Sequence, residues 1–287
     1  MKSIPIPVRA IGPGSQPEEA EPLNMLPLPS GMSTFRMPQV PESADRAAMA
    51  RARDVLAELL ARLEAWDGTP GAQPRLDVTL LDEDALDALN QVLGEGEVAI
   101  KLQGERDIQI QETVFAGVWR VQRLDGAGRL ERDEIEACAL PAVVLEVAAA
   151  SASGIRTVDT PVGAMNSPTL LTEVRAQLGR YRPGEPAHVV NLTLLPLSPE
   201  DREVLQQALP VGPVAMMSRG FGNCRITSTA ARHVWRVQYF NNMQTLILNT
   251  IEVVDVPEVA LAAPEDLADT RTRLAELVEW MTEDCAA

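Results

Sequence analysis

Residues 118–122, Val-Trp-Arg-Val-Gln, return unchanged as residues 234–238, 116 positions later. The similarity extends without a gap from residues 76–141 to residues 192–257, with 20 identities in 66 aligned pairs. A gap-free register of this length is difficult to obtain by chance, so the sequence indicates an internal tandem duplication.

Each copy of the duplicated unit is predicted to contain one helix and a series of short strands. Asp82 or Ser198 follows the first strand and is expected to cap the helix, at 83–93 or 199–209. The strands expected in the first copy are 76–81, 97–103, 108–114, 117–124 and 130–138, and those in the second are 192–197, 213–219, 224–230, 233–240 and 245–254. The short loops between them favour antiparallel neighbours.

The fold class that follows is α+β, with two tandem copies of an antiparallel-sheet unit and packed helices. We expect two sheets, one from each copy. Packing of the halves about a pseudo-twofold axis would suit the duplication, but the sequence leaves that arrangement open.

Helical spacing and a proline-rich start define the remaining organisation of the chain. Further helices are predicted over 43–66, from Ser167-Pro168 to Arg182, and over 264–283. The segment 142–166 contains Ala, Ser, Gly and Pro and is expected to connect the halves. The predicted domains are a Pro-rich arm (1–42), a first α+β repeat (43–150), a linker (151–166) and a second repeat with a C-terminal helix (167–287).

The composition limits the classes of function. The formal net charge of −16 would repel phosphate backbones, so a nucleic-acid partner is not expected. The three cysteines are far apart, which fits a reducing compartment better than a disulfide framework. No apolar run resembles a signal-peptide core or a membrane helix, so we expect a cytoplasmic protein without stable membrane insertion.

The repeated aromatic and charged residues favour structural interpretations. Trp119 and Trp235 are expected to anchor the core of each half, and an exposed binding role is the alternative. Arg120 should point to the opposite strand face and pair with Glu136 on the neighbouring strand. The same pairing is expected at the equivalent positions of the second copy.

No constellation of residues points to catalysis, a cofactor or a metal. His188 and His233 are the only histidines, and neither has an evident partner set in the sequence. Cys224 lies near His233 in sequence, but a cysteine nucleophile also needs an orienting group. The sequence therefore predicts a protein that is not an enzyme and has no bound cofactor.

An ordered series of segments carries a resemblance to a known family. The segments are Gly-Pro-Gly-Ser-Gln-Pro (12–17), Leu-Gly-Glu-Gly-Glu-Val (93–98), Ile-Gln-Glu-Thr-Val-Phe-Ala-Gly-Val-Trp-Arg-Val (110–121), Asn-Leu-Thr-Leu-Leu-Pro-Leu-Ser (191–198), Arg-His-Val-Trp (232–235) and Pro-Glu-Val-Ala-Leu-Ala-Ala-Pro-Glu-Asp-Leu (257–267). Together they resemble the HupH/HyaF family of hydrogenase expression/formation proteins, over nearly the whole chain.

The resemblance implies an accessory role in the maturation of nickel–iron uptake hydrogenases. The implied client is the precursor of the iron–sulfur small subunit, held by a non-catalytic chaperone before assembly and export. Other hydrogenase maturation proteins are further candidate partners. An iron–sulfur or metal carrier, an enzyme and a scaffold subunit of the maturation complex are the alternatives.

Two places are expected to contact such a partner. One is the glycine-containing turn formed by Arg219, Gly220, Phe221 and Gly222, where a plain hairpin turn is the alternative. The other is the more apolar part of the arm, residues 31–38 around Phe35, where docking on its own domain is the alternative.

Overall fold

A computed structural model of the protein describes residues 46–69, 71–104, 106–220 and 222–286, with the backbone alone for 284–286. Ten strands form the sheet: β1 (Arg75–Asp77), β2 (Val98–Leu102), β3 (Ile108–Glu112), β4 (Val118–Leu124), β5 (Leu130–Ala137), β6 (His188–Asn191), β7 (Val211–Ser218), β8 (Asn223–Thr229), β9 (Val234–Phe240) and β10 (Leu246–Val253). The helices are α1 (Arg46–Ala65), α2 (Glu83–Leu93), α3 (Ala142–Ala150), α4 (Ser167–Arg180), α5 (Pro199–Ala208) and α6 (Pro264–Ala286).

The strands form one continuous antiparallel sheet in the order β1-β5-β4-β3-β2-β7-β8-β9-β10-β6. The expectation of two separate sheets is therefore wrong, because β2 of the first half pairs with β7 of the second. We call the β2–β7 pairing the seam. Its hydrogen bonds satisfy backbone N–H and C=O groups that would be unpaired at the edge strands of two separate sheets. The α+β class, the antiparallel pairing and the packed helices are confirmed.

The register at the seam has the symmetry of the duplication. Ile100 lies directly opposite Met216, which is its equivalent in the second copy. Val98 lies opposite Ser218, and their equivalents in the other copy, Val214 and Leu102, also lie opposite each other. Equivalent residues that face each other across antiparallel strands place a local twofold axis at the seam, perpendicular to the sheet.

One face of the sheet forms the central core beneath α3 and a short 3-10 helix, Glu258–Ala260. Trp119 and Trp235 lie on this face and are at most 2% exposed, so their predicted role as core anchors is confirmed. Their indole nitrogens donate hydrogen bonds to the backbone oxygens of Cys138 (2.9 Å) and Asp255 (3.0 Å). Each large ring is thus buried with its polar atom satisfied.

Two groups of helices pack on the outer parts of the opposite face. In the first half, α1 and α2 cover Val118 and Ile135, and in the second half α4 and α5 cover Val234 and Ile251. The C-terminal helix α6 packs on the first half, where its Leu274 lies in the core and is 0% exposed. The two halves are therefore joined by the seam and also by α6.

The structure differs from the expected elements at three places. Residues 142–150 form α3 although a connection was predicted there. In the first copy the first strand is shorter than 76–81, and in the second the strand His188–Asn191 precedes a 3-10 helix, Leu192–Leu194. The predicted caps at the starts of α2 and α5 are confirmed, since the side chains of Asp82 and Ser198 accept backbone hydrogen bonds there.

The predicted ion pair between Arg120 and Glu136 is wrong. Arg120 points to the helix-covered face, where its guanidinium binds both carboxylate oxygens of Asp133. Glu136 lies on the other face, directly opposite Trp119, and is paired with Arg75 at 2.7 Å. Strand alternation separates the two predicted partners because Arg120 stands opposite Ile135 in the register.

Candidate functional site

On the face of the sheet that carries these helices, the four central strands β3, β2, β7 and β8 lie between the two helix groups. Helix α2 borders this strip, since Asn90 of that helix accepts a hydrogen bond from Arg120 on the same sheet face. On the four central strands this face carries half-buried side chains beside the buried Ala99 and Ala215, while the alternating residues Ile108 and Ile110 are buried on the other face. We name this surface the central groove, and its floor consists of Lys101, Gln109, Gln111, Met217, Arg225 and Thr227.

The floor differs in chemistry from the faces that the helices cover. Neither of the two cores beneath the helices includes a floor residue. Gln111 uses its amide nitrogen to bond the backbone oxygens of Gly96 and Val98, at 3.3 Å each. Polar side chains that are half-buried on a sheet can form hydrogen bonds with a bound chain, so the groove is suited to binding and not to core packing.

The predicted contact turn lies at one end of this groove. Arg219 continues β7 and is half-buried, while Gly220 and Gly222 are exposed. Phe221 and Phe35 lie outside the described residues. A depression of about 290 Å³ adjoins the turn and is lined by Met217, Arg219, Asn223, Cys224, Arg225, Phe240 and Gln244. We name it the second-half end of the groove.

Close contacts hold the turn in position. The backbone nitrogen of Arg219 donates to the oxygen of Glu97 at 3.1 Å. A Cβ atom on Gly220 would lie 1.8 Å from a carboxylate oxygen of Glu97, so a larger residue there requires the Glu97 side chain to move. The guanidinium of Arg225 lies 5.1 Å from the ring centre of Phe240, a cation–π arrangement that presents charge beside an apolar surface.

The twofold-related end of the groove has different chemistry. The positions equivalent to Met217, Arg219 and Arg225 hold Lys101, Gln103 and Gln109. The ammonium of Lys101 lies 3.5 Å from Asp107, which offsets its charge. The position of Phe240 is taken by Leu124. The duplication has therefore diverged, and the second-half end carries two arginines together with an aromatic ring.

A backbone feature accompanies this divergence. The residues other than glycine with a positive φ angle, among those the structure describes, are His233 (φ 61°) and Gln244 (φ 61°). The equivalent residues of the first copy are glycines that also have positive φ angles, Gly117 (φ 77°) and Gly128 (φ 77°). The second copy keeps the left-handed turns but places side chains there, and Gln244 lines the second-half end.

The structure separates the residues that could have formed a nucleophile. Cys224 is 1% exposed, and burial raises the pKa of its thiol to about 11. It stands opposite Tyr239, about 20 Å along β9 from His233 at the strand spacing of ~3.3 Å per residue. His233 instead contacts Asp255, with Nδ1 3.1 Å from Oδ1, and burial lowers its pKa. A protonated thiol without an adjacent base is a poor nucleophile.

A set of buried carboxylates, on the sheet face that carries Trp119, was not expected from the sequence. Glu134 and Glu136 are 0% exposed and Glu112 is 8% exposed. Burial raises the pKa of Glu112 to about 7, although its carboxylate accepts a bond from the Gly117 nitrogen at 3.2 Å. The available signal was strand alternation, which puts Glu134 and Glu136 on one face of β5 and Ile135 on the other. These acids lie on the face opposite the groove.

Two other kinds of feature are absent from the part of the chain that the structure describes. No group of three or more His, Cys, Asp and Glu residues is arranged to hold a metal ion in that part of the chain. None of the helices described there has the length and apolar character needed to cross a membrane.

The sequence family of the HupH hydrogenase expression protein, C-terminal conserved region, matches the chain twice, over residues 49–161 and 164–281. The chain belongs to the HupH family. Two matches agree with the duplication seen in the sequence and in the seam.

Relatives in the family cover almost the whole chain. Hydrogenase expression/formation protein HoxQ of Cupriavidus necator is 46% identical over 283 residues, which are 98% of this chain and 99% of that protein. Hydrogenase expression/formation protein HupH of Rhodobacter capsulatus is 43% identical over 96% of this chain and 97% of its own length. Hydrogenase-1 operon protein HyaF of Escherichia coli is 33% identical over 95% and 96%, respectively.

A solved structure also shows similarity to part of the chain. Hydrogenase expression protein HupH from Thiobacillus denitrificans aligns with a TM-score of 0.37 and 29% identity. The alignment covers 40% of this chain and 95% of that one.

Proposed function

We propose that the protein is an accessory factor in the maturation of a nickel–iron uptake hydrogenase. The supporting observation is its similarity to hydrogenase expression/formation proteins over 98% of the chain. In more detail, we propose a non-catalytic chaperone that holds the precursor of the iron–sulfur small subunit in the cytoplasm, before assembly and export.

The central groove supports a holding role. It offers half-buried polar side chains across the seam and an arginine–aromatic surface at its second-half end. Such a surface can bind a polypeptide through hydrogen bonds, charge and apolar contact without changing it covalently. We propose that the client lies in this groove, with the turn of Arg219, Gly220 and Gly222 at one end.

A tagged pull-down from cells that express the hydrogenase operon, followed by mass spectrometry, tests the proposal. We expect to recover the small-subunit precursor with its export signal still attached. Recovery of other maturation proteins in a fixed ratio, without the precursor, would replace the chaperone by a scaffold subunit. Recovery of an iron–sulfur cluster or metal with the purified protein would favour the carrier.

The aromatic contacts predicted from the sequence provide a matched comparison. Phe35→Ala and Phe221→Ala are expected to lower precursor recovery several-fold, since aromatic anchors often dominate protein interfaces. Leu80→Ala is the control, because Leu80 is a large apolar residue that is 97% exposed and belongs neither to the groove floor nor to the depression at its second-half end. Unchanged recovery in both phenylalanine variants would remove these residues from the proposed contact surface.

A further inference from the structure

The second-half end of the groove combines two kinds of chemistry that a ligand would have to match. Arg219 and Arg225 bring two positive charges to a chain whose formal net charge is −16. Met217 and Phe240 line the same depression with apolar atoms. An occupant that fits both features carries carboxylates next to apolar side chains.

The chain itself contains a segment of that composition. Residues 17–29 read Pro-Glu-Glu-Ala-Glu-Pro-Leu-Asn-Met-Leu-Pro-Leu-Pro. Three glutamates at 18, 19 and 21 are followed within five positions by Leu23, Met25 and Leu26. The prolines restrict φ and favour extended backbone, which reduces the entropy that the segment would lose on lying in a groove.

The connecting chain is long enough to reach the groove. Residues 27–45 separate this segment from the start of α1 at Arg46. At ~3.3 Å per residue they span up to about 60 Å when extended. The ten-stranded sheet is about 43 Å wide at ~4.8 Å per strand spacing, so every strand is within reach.

We propose that residues 18–26 dock on the second-half end of the central groove within the same molecule. The glutamates lie toward Arg219 and Arg225, and the apolar residues that follow lie against Met217 and Phe240. The other end is a poorer site, because Gln103 and Gln109 stand there in place of the two arginines and Leu124 in place of the aromatic ring. A partner that uses the groove then has to displace this segment.

Site-specific photo-crosslinking in the purified full-length chain tests this docking. A benzoylphenylalanine introduced at Leu23 is irradiated, and the crosslinked residues are mapped by mass spectrometry. We expect intramolecular crosslinks to β7, β8 or residues 240–244. The double variant Arg219→Gln/Arg225→Gln should reduce their yield at least about five-fold, by removing the charge-assisted contacts.

The duplication supplies conservative controls. Glutamine already occupies both positions in the first copy, as Gln103 and Gln109, so the double variant introduces residues that the same sheet tolerates. Lys101→Gln, at the other end, should leave the crosslinks unchanged. Replacing the glutamates at 18, 19 and 21 by glutamine should reduce the yield as the arginine variant does.

Three results would overturn the proposal. They are crosslinks that map to other surfaces, crosslinks that join two chains, and an intramolecular yield that is unaffected by both the arginine and the glutamate variants. The crosslinking sample contains only this chain. A negative result there would therefore not bear on the proposed role in hydrogenase maturation. Loss of the hydrogenase client from pull-downs would, conversely, leave the docking intact.

Discussion

At the scale of residues, the clearest difference between the two halves is the partner of the repeated arginine. Arg120 is 9% exposed and binds Asp133, which is 0% exposed. In the second half Asn249 stands at the position of Asp133 and accepts a bond from Arg236 at 3.2 Å. The first half thus buries an ion pair where the second has a bond to a neutral amide.

Arg120→Gln is therefore expected to lower the free energy of unfolding by about 3–5 kcal/mol, because it leaves the Asp133 carboxylate buried without its cation. Arg236→Gln, the matched control, should lower it by less, because the partner left behind is the neutral amide of Asn249 and not a buried carboxylate. Urea unfolding of both variants checks the difference. Equal losses would show that the ion pair does not distinguish the halves.

Burial of Glu112 gives a prediction about pH. Its pKa is about 7 in the folded protein, against 4.5 for an exposed glutamate. Between these values the unfolded chain has released the proton and the folded chain has kept it, so stability falls as the pH rises from about 4.5 to about 7. At ~1.36 kcal/mol per pKa unit the loss approaches roughly 3 kcal/mol.

Glu112→Gln should flatten this part of the stability profile. Part of the slope will remain, since burial also raises the pKa values of Glu136 and Glu252. Urea midpoints of the wild type and the variant at pH 5 and pH 8 give the comparison. A wild type that is more stable at pH 8, or a variant with an unchanged slope, would contradict the assignment.

Residue roles could be predicted from the sequence when they depend on one strand. Trp119 and Trp235 were identified as core anchors because alternation and repetition are local signals. The partner of Arg120 was predicted wrongly. The partner of Arg120 depends on the register between β4 and β5 and on which diagonal neighbour in β5 its long side chain reaches. The sequence of one strand determines neither.

At the scale of elements, the turn before β4 shows how the copies keep one backbone with different residues. Gly117 has a φ of 77°, and a Cβ atom there would lie 2.4 Å from Leu267 Cδ2 and 3.1 Å from the Cys138 oxygen. His233 has the equivalent conformation before β9. The first turn therefore needs glycine for both its dihedral angle and the contact with α6.

Gly117→Ala should lower the free energy of unfolding by about 2–4 kcal/mol, through left-handed strain and displacement of α6. His233→Gly should change it by less than about 1 kcal/mol, because the backbone strain that it removes offsets the lost contact with Asp255. Thermal and urea unfolding measure both. A tolerated alanine at position 117 would mean that α6 does not press on this turn.

Element boundaries were predicted well where the sequence has strong local signals. Helix α2 covers the predicted residues 83–93, and the caps at Asp82 and Ser198 are present. Helix α3 was missed because Ala-Val-Val-Leu-Glu-Val-Ala-Ala-Ala (142–150) is apolar on most sides and lacks a capping side chain. Its packing against β7, a contact with the other half, stabilises it instead.

At the scale of the whole molecule, the continuous sheet could not be predicted from the repeat. Strand pattern fixes which residues point to which face, but the pairing of β2 with β7 joins residues more than 100 positions apart. The same sequence pattern is compatible with two separate sheets. The groove follows from this pairing, so only its end at residues 219–222 could be expected, from the glycines there.

The return of α6 predicts long-range coupling. Leu274 is 0% exposed and lies in the core of the first half. Leu274→Ala should lower the free energy of unfolding by about 2–5 kcal/mol and speed amide exchange in β1 and β5. Leu171→Ala, in α4, is the matched control and should act on β6 and β10. Faster exchange confined to the second half in the Leu274 variant would contradict this packing.

A reconstitution with purified proteins provides the decisive measurement for the proposed function. The full-length chain is mixed with the purified small-subunit precursor, and the complex is analysed by size-exclusion chromatography with light scattering and intact mass spectrometry. We expect a stable complex, and release of the precursor with an unchanged mass when the large subunit is added. Absence of a complex, or a covalent change in the precursor, would contradict the role of a non-catalytic chaperone.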